Sequence, residues 1–345
     1  MKKALIVSPY LDHLGGGERY MLTCASTLES LGYEVSIGWD NLESINRICH
    51  MLAIELKNPV LVPHIRELYH SRNPLSMFMA TRPYDVVVYL SDGSIPLLGG
   101  RINLLHMQVP FHNVNGSSWK NKLKLKTINR VIVNSNFTKK IVDQEYGIDS
   151  FVLYPPVSSN KTVGAKEKVI LSVGRFEPSL NVKKQDVLIN AFKKLSATMT
   201  DWKLFLVGGS TEDNWIKELK NQAAGYNIEL LPNADNTTLV DLYSRASIYW
   251  HAAGYGVDQA KSPELVEHFG ISTVEAIEAR MLPLVYKAGG QTEIVKNDDL
   301  LWATEEELIS KTTSLASHNF SDYESSLDIS SFSEDAFKNT LKTLL

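Results

Sequence analysis

The chain has 345 residues, 44% of them hydrophobic and 21% charged, with a net charge of −4, a globular composition long enough for two domains. A pI near 6.2 and the lack of aromatic residues interleaved with basic ones argue against nucleic acid as a partner. Cys24 and Cys49 are too few for a disulfide framework and lack zinc-site spacing, and no apolar run reaches the length of a membrane span.

Short β-rich apolar runs alternate with helical patterns along the whole sequence, the signature of βαβ units building parallel sheets. The run 4–8 reads as a buried strand, because Ser8 and Pro9 interrupt it before a signal-peptide core could form. With reduced cysteines, this predicts a cytoplasmic protein in which the Asn-x-Ser/Thr triplets at Asn115, Asn136, Asn160, Asn236 and Asn319 carry no glycan. A glycine turn, Gly15-Gly16-Gly17, then opens a helix over 18–31 with Met21, Cys24, Ala25, Leu28 and Leu31 on one face. Such a turn suits close approach of backbone to a diphosphate, with Gly16 and Gly17 as candidate binding positions. It departs from a nicotinamide-binding loop, since Tyr20 stands where the third glycine belongs, although Asp40 roughly answers the acidic residue closing the second strand.

Further strands are predicted at 35–38, 85–90, 102–106 and 131–133. His106 ends its strand just before Met-Gln-Val-Pro110 and is a candidate contact residue, while 134–138 reads as a strand end followed by a structural helix cap. From Gly93 to Val142 there is no Asp or Glu, whereas Arg101, Lys120, Lys122, Lys124, Lys126, Arg130, Lys139 and Lys140 are basic. One reading is a solvated helix surface. The other is peripheral contact of the stretch 101–140 with an anionic membrane or lipid-pyrophosphate acceptor, at about 1 kcal/mol per near-surface Lys or Arg.

The Pro-Pro and polar run 154–164 marks a domain boundary, giving domains 1–157 and 158–330 and a terminal helix over 331–345 opened by the capping Ser333. The second half repeats the strand pattern at 168–173, 203–207, 228–231, 247–251 and 282–286. Gly174 and Arg175 follow the first of these, and Lys183 and Lys184 lie near the start of the next helix; two cations and backbone donors there can surround a pyrophosphate. Gly208 follows the second strand, and Gly289-Gly290 the last. Between them, Glu267 precedes a helix start, Glu275 lies one turn inside, and His268, Phe269, Gly270, Ile271 and Ser272 make the entry, where free N–H groups favour a phosphate or sugar oxygen. Two glutamates on a helix face decide nothing alone.

Taken with Gly174-Arg175, Lys183 and the words Glu-His-Phe-Gly-Ile and Val-Glu-Ala, this segment resembles the E-x7-E signature of family 4 retaining glycosyltransferases of GT-B architecture (glycosyl transferases group 1). The resemblance spans nearly all of the chain and is most specific over 170–295. It implies two facing, doubly wound Rossmann-like α/β domains with an interdomain cleft, the first on the acceptor side, the second binding a nucleoside diphosphate sugar, and the terminal helix crossing back to the first. It implies a retaining hexosyltransferase, UDP- or GDP-linked in its donor, acting on a saccharide or lipid-linked acceptor in cell-surface glycan or glycolipid synthesis, at the inner face of a membrane. Arg175 and Lys183 (or Lys184) would hold the pyrophosphate, Glu267 the donor sugar, Glu275 the ribose, and His106 would approach sugar or acceptor. No cofactor is implied, and no metal, since no Asp-x-Asp stands where a divalent ion would be needed. The rival enzymes are a nucleotide-sugar epimerase or a phosphorylase of the same architecture; the rival from another class is a non-catalytic sugar-nucleotide-binding subunit. Two departures stand out: a long loop over 251–266, and Arg280 where the family has a helix-ending Gly, costing about 1 kcal/mol if it adopts a left-handed cap.

Overall fold

The computed structural model describes residues 2–12, 15–71, 73–157, 163–177 and 183–345. Parts of three motifs therefore lie outside the described residues: 13–14 ahead of the first glycine turn, 158–162 in the boundary run, and Asn181-Val182 before Lys183. The chain divides into two compact units, Met1–Ser158 with Ser331–Leu345, and Ser159–Ser330.

The first unit contains β1 (Lys3–Val7), β2 (Glu34–Ile37), β3 (Val60–Leu61), β4 (Val86–Leu90), β5 (Ile102–Met107), β6 (Arg130–Val133) and β7 (Phe151–Val152). They form one sheet in the order β3-β2-β1-β4-β5-β6-β7, and every pairing is parallel. The central β4, Val-Val-Val-Tyr-Leu, is buried along its whole length, as expected of a parallel strand covered on both faces. The helix Gly16–Ser30 lays Met21, Cys24, Ala25 and Leu28 against one face of this sheet. The helix Glu334–Thr343 joins the same cluster through Phe337 and Leu341, and the Ser333 hydroxyl caps it by accepting from the Ala336 N–H.

The second unit contains β8 (Glu167–Val173), β9 (Lys203–Gly208), β10 (Ile228–Pro232), β11 (Ala246–His251), β12 (Leu282–Tyr286) and β13 (Leu301–Trp302). Their order is β10-β9-β8-β11-β12-β13, again parallel throughout. Val169, Leu171, Phe205, Val207, Tyr243, Tyr249, Ala276 and Met281 fill the core on one side of this sheet. Arg280 closes the helix Ile271–Glu278 in the left-handed region, at φ 59°, and its guanidinium reaches Glu324 at 2.7 Å. Among the described residues no helix is long and apolar enough to cross a membrane.

Candidate functional site

The order of the second sheet reverses between β8 and β11, the position where doubly wound sheets bind ligands at the carboxyl ends of their strands. Gly174 leaves β8 and Gly208 ends β9. A Cβ on Gly208 would stand 2.1 Å from the Gly174 carbonyl oxygen, so this close backbone approach admits only glycine. Gln185, at the start of the helix Gln185–Leu195, donates its amide to the carbonyls of Gly174 and Arg175 at 3.2 and 3.0 Å. That fixes the turn carrying Arg175, whose exposed guanidinium makes no ion pair among the described residues. Lys184 caps the same helix in the left-handed region, φ 54°. Lys183 lays its stem over Gly174 and donates its ammonium to Glu267 Oε2. The lysine read from sequence as a phosphate ligand is therefore also the partner of the first glutamate.

Glu267 is held from behind by the second glycine turn. Gly290 donates its N–H to the Glu267 carbonyl at 2.8 Å. A Cβ on Gly289 would lie 2.2 Å from that carbonyl oxygen, and one on Gly290 2.1 Å from that of His268. Phe269 is buried, and Gly270, at φ 114°, turns the chain into the helix Ile271–Glu278. The N–H groups of Thr273 and Val274 return to the Gly270 carbonyl at 3.0 and 3.2 Å, so those of Ile271 and Ser272 form the mouth of the helix. The Ser272 hydroxyl accepts from Tyr249 Oη at 2.7 Å. Glu275, nearly buried, accepts from Tyr243 Oη at 2.9 Å, and His268 Nε2 lies 3.2 Å from the Glu264 carbonyl.

His251 completes the arrangement. It ends β11, is 2% exposed, and places Nε2 3.1 Å from Glu267 Oε2. The contact lies off the line of a well-formed hydrogen bond, but it is the polar contact described for this nitrogen. The Ala253 N–H donates to its Nδ1 at 3.2 Å, and Gln291 Nε2 lies 2.9 Å from the same atom. The Gln291 amide is oriented in turn by the Thr273 hydroxyl, which donates to its Oε1 at 2.7 Å. Burial pushes the Glu267 carboxyl upward, but the Lys183 ammonium and His251 outweigh it and hold the group well below the usual carboxylate range. Burial, with the charge of Lys183, holds His251 below the ordinary imidazole value against the opposing pull of Glu267. Lys183 and His251 both lie against Oε2, and Glu267 Oε1 has no partner among the described residues.

The long loop after β11 is built into this unit. Tyr255 packs on Tyr286 and Trp302, and Gln259 Oε1 accepts the Gly289 N–H at 3.0 Å.

Gly16, Gly17 and His106 belong to the first unit, where their surroundings differ. Glu18, 4% exposed, sits at the mouth of its own helix, with its carboxylate 2.6 Å from where a Gly15 Cβ would be. A Cβ on Gly17 would meet Gln108 Nε2 at 2.9 Å. His106 is fully buried and stacks on Tyr20 at 3.8 Å between ring centroids, with Nδ1 3.2 Å from the Ile132 carbonyl. Burial lowers its pKa to about 3, against the hydrogen bond to Ile132. The structure thus brings Gly174, Arg175, Lys183, Lys184, Gly208, Glu267, the entry 268–272 and Glu275 together within one unit, and shows His106 sealed within the other.

Sequence reading missed His251, Gln291 and Thr273 as members of the site. Their signal was present only as a strand-end histidine and a glutamine following Gly289-Gly290.

Residues 158–322 match the family model described as glycosyl transferases group 1. Among curated relatives, an α-1,3/1,6-mannosyltransferase ALG2 of Kluyveromyces lactis is 23% identical over 85% of this chain and 71% of that protein. A GDP-Man:Man(3)GlcNAc(2)-PP-Dol α-1,2-mannosyltransferase of Dictyostelium discoideum is 28% identical over 49% of this chain, which spans only 36% of it. Among solved structures, a glycosyltransferase from Rickettsia africae superposes with a TM-score of 0.74 at 17% identity, over 99% of this chain and 97% of that one. HepE of Anabaena, solved with UDP and glucose, gives 0.73 at 17% identity over 99% of both chains. These likenesses show the fold, two Rossmann-like parallel-sheet domains of GT-B type. The family likeness is carried by the segment 158–322, just under half of the chain, which resembles the glycosyl transferases group 1.

Proposed function

We propose that this glycosyltransferase moves a hexose from a UDP- or GDP-linked sugar, with retention of anomeric configuration and without metal or cofactor, to a hydroxyl of a saccharide or lipid-linked acceptor. The observation that carries this reading is Glu267: ionised, pinned through Oε2, and left with Oε1 to accept from a sugar hydroxyl. Breaking the anomeric bond leaves a diphosphate of greater charge and an oxocarbenium-like sugar, so groups that stabilise the leaving diphosphate accelerate the step. Arg175, the N–H groups of Ile271 and Ser272, and the donors of Lys183 not given to Glu267 supply that stabilisation. Glu275, buried against Tyr243, is assigned to the ribose. The nucleotide seen with HepE supports a diphosphate donor, and the PP-Dol acceptor named for the Dictyostelium relative supports a lipid-linked acceptor.

The test is thermal stabilisation by UDP, GDP, ADP, their sugar conjugates and NAD in the presence of EDTA. One nucleotide diphosphate and its conjugates should stabilise the protein, by about 2.7 kcal/mol at a hundred times Kd. Stabilisation by NAD alone would overturn the reading.

The basic stretch supports placing the enzyme at the cytoplasmic face of a membrane. The helix Trp119–Leu125 buries no residue, and leaves Trp119 68% and Leu123 52% exposed one turn apart, flanked by Lys120, Lys122 and Lys126. Its approach is braced, because the Glu145 carboxylate accepts the N–H groups of Asn113, Val114 and Gly116 at 2.8–3.1 Å. An aromatic anchor ringed by lysines suits an anionic lipid interface. Trp119→Ala and replacement of Lys120, Lys122, Lys124 and Lys126 by Gln should each weaken sedimentation with phosphatidylserine vesicles; equal binding would leave this helix as ordinary surface.

A further inference from the structure

We propose that His251 is a positioning residue for Glu267: a neutral Nε2–H imidazole, locked in that tautomer by the Ala253 N–H and the Gln291 amide, that holds Oε2 and so keeps Oε1 turned to the donor. The inference deepens the transferase reading and rests on it for the role of Glu267.

The argument begins with the backbone. An amide N–H can only donate, so the 3.2 Å contact from Ala253 makes His251 Nδ1 an acceptor, bearing no proton. Gln291 agrees. Its Oε1 is taken by the Thr273 hydroxyl, which leaves its NH₂ to face the same Nδ1 at 2.9 Å. With Nδ1 filled by two donors, a neutral imidazole carries its proton on Nε2, and Nε2 faces the Glu267 carboxylate at 3.1 Å. Further protonation would have to occur at Nδ1, against both donors and with Lys183 nearby. The charged or titratable groups acting on the ring are Glu267 and Lys183, with Tyr249 at 6.2 Å between ring centroids. Of these Glu267 favours a proton, while burial and Lys183 oppose it.

The arrangement explains why a histidine ends β11. Lys183 reaches Glu267 from a segment 84 residues earlier through a flexible stem, and fixes charge rather than direction. His251 is rigid, wholly enclosed and on the same strand end as the backbone that leads toward Glu267. The ammonium hydrogen bond of Lys183 and the imidazole edge 3.1 Å from the same oxygen together restrict the carboxylate plane as the ion pair alone does not.

The first measurement is a long-range ¹H–¹⁵N spectrum of histidine-labelled protein without ligand. His251 should show the neutral Nε2–H tautomer from pH 5 to 8. An Nδ1–H tautomer, or conversion to imidazolium inside that range, would overturn the proposal whether or not the protein transfers sugar. Kinetics on the donor identified above supply the second arm. His251→Leu should lower kcat by about tenfold, the lower end of what a contact to a charged group contributes because this one is off the hydrogen-bond line, with nucleotide affinity within a factor of about two. His251→Gln, which can offer an N–H near the Nε2 position, should recover most of that loss. Equal kcat in wild type and both variants would overturn it, and so would equal losses in the two variants. A wild type that transfers sugar from no donor would instead defeat the transferase reading, and the spectrum still decides the geometry.

Discussion

Each unit has a buried histidine at or next to the end of a parallel strand, His106 one residue before the end of β5 and His251 the last of β11, and they hold opposite protons. His106 lies beside the Ile132 carbonyl, which can only accept, so its Nδ1 carries the hydrogen and its Nε2 has no hydrogen-bond partner among the described residues. His251 receives a backbone N–H and an amide on Nδ1, so its proton sits on Nε2. Burial lowers both pKa values. What differs is the object of the second nitrogen: His106 is closed off under Tyr20, and His251 meets an ionised carboxylate with an unused oxygen. Strand-end position alone does not make a histidine functional; the groups around its two nitrogens do.

A large effect that would break this contrast is on stability against pH. His106 has a folded pKa of about 3 against about 6.5 when unfolded. Because the folded value is the lower, the unfolded state binds the extra proton first. Stability is whole well above pH 6.5 and is lost as pH falls toward 3, by about 2.3 kcal/mol between pH 6.5 and 4.5 for this one group. His106→Gln should remove that share, read from urea unfolding at pH 7 and 4.5. An unchanged slope would mean that the imidazole is not sealed.

The effect on chemistry is at least as large. Glu267→Gln should lower kcat by roughly a hundredfold to a thousandfold with nucleotide affinity nearly intact. His106→Gln should leave kcat/KM within about threefold; a loss as large as that of Glu267→Gln would bring His106 back to the sugar. The glycine turns give a smaller and sharper comparison. An Ala at Gly290 would thrust its Cβ at a backbone oxygen, whereas an Ala at Gly15 meets only the tip of the Glu18 side chain. Gly290→Ala should therefore cost about 2–3 kcal/mol and Gly15→Ala under about 1, measured as shifts in denaturation midpoint. Smallest is Arg280→Gly, where relief of the left-handed backbone, about 1 kcal/mol, exceeds the loss of an exposed pair with Glu324. A slight rise in Tm is expected.

The long strands were legible in the sequence because each is a contiguous β-rich run, and β12 coincides with the predicted 282–286. Val60–Leu61, Phe151–Val152 and Leu301–Trp302 were not, since two residues carry no periodicity and exist as strands only because a longer neighbour pairs with them. The left-handed backbone at Arg280 was legible too, from the missing glycine. Glycine positions near Glu267 could be read as turns, but not that Gly289 and Gly290 back directly onto the carbonyls of residues 267 and 268. The Lys183–Glu267 pair and the Gln291–His251 contact join residues 84 and 40 positions apart, and no local pattern encodes which donor meets which oxygen. For the same reason Lys183 read as a phosphate ligand alone.

The helix Glu334–Thr343 sets an order of events during synthesis. Phe337 meets Tyr20 edge-on at 5.2 Å, and Tyr20 is the ring that covers His106. Everything from 159 to 330 must leave the ribosome before Phe337 can close on that ring. The second unit is continuous in sequence and can fold as it emerges, while the first waits, with its helix Gly16–Ser30 lacking its last apolar partners, until residues 331–345 arrive.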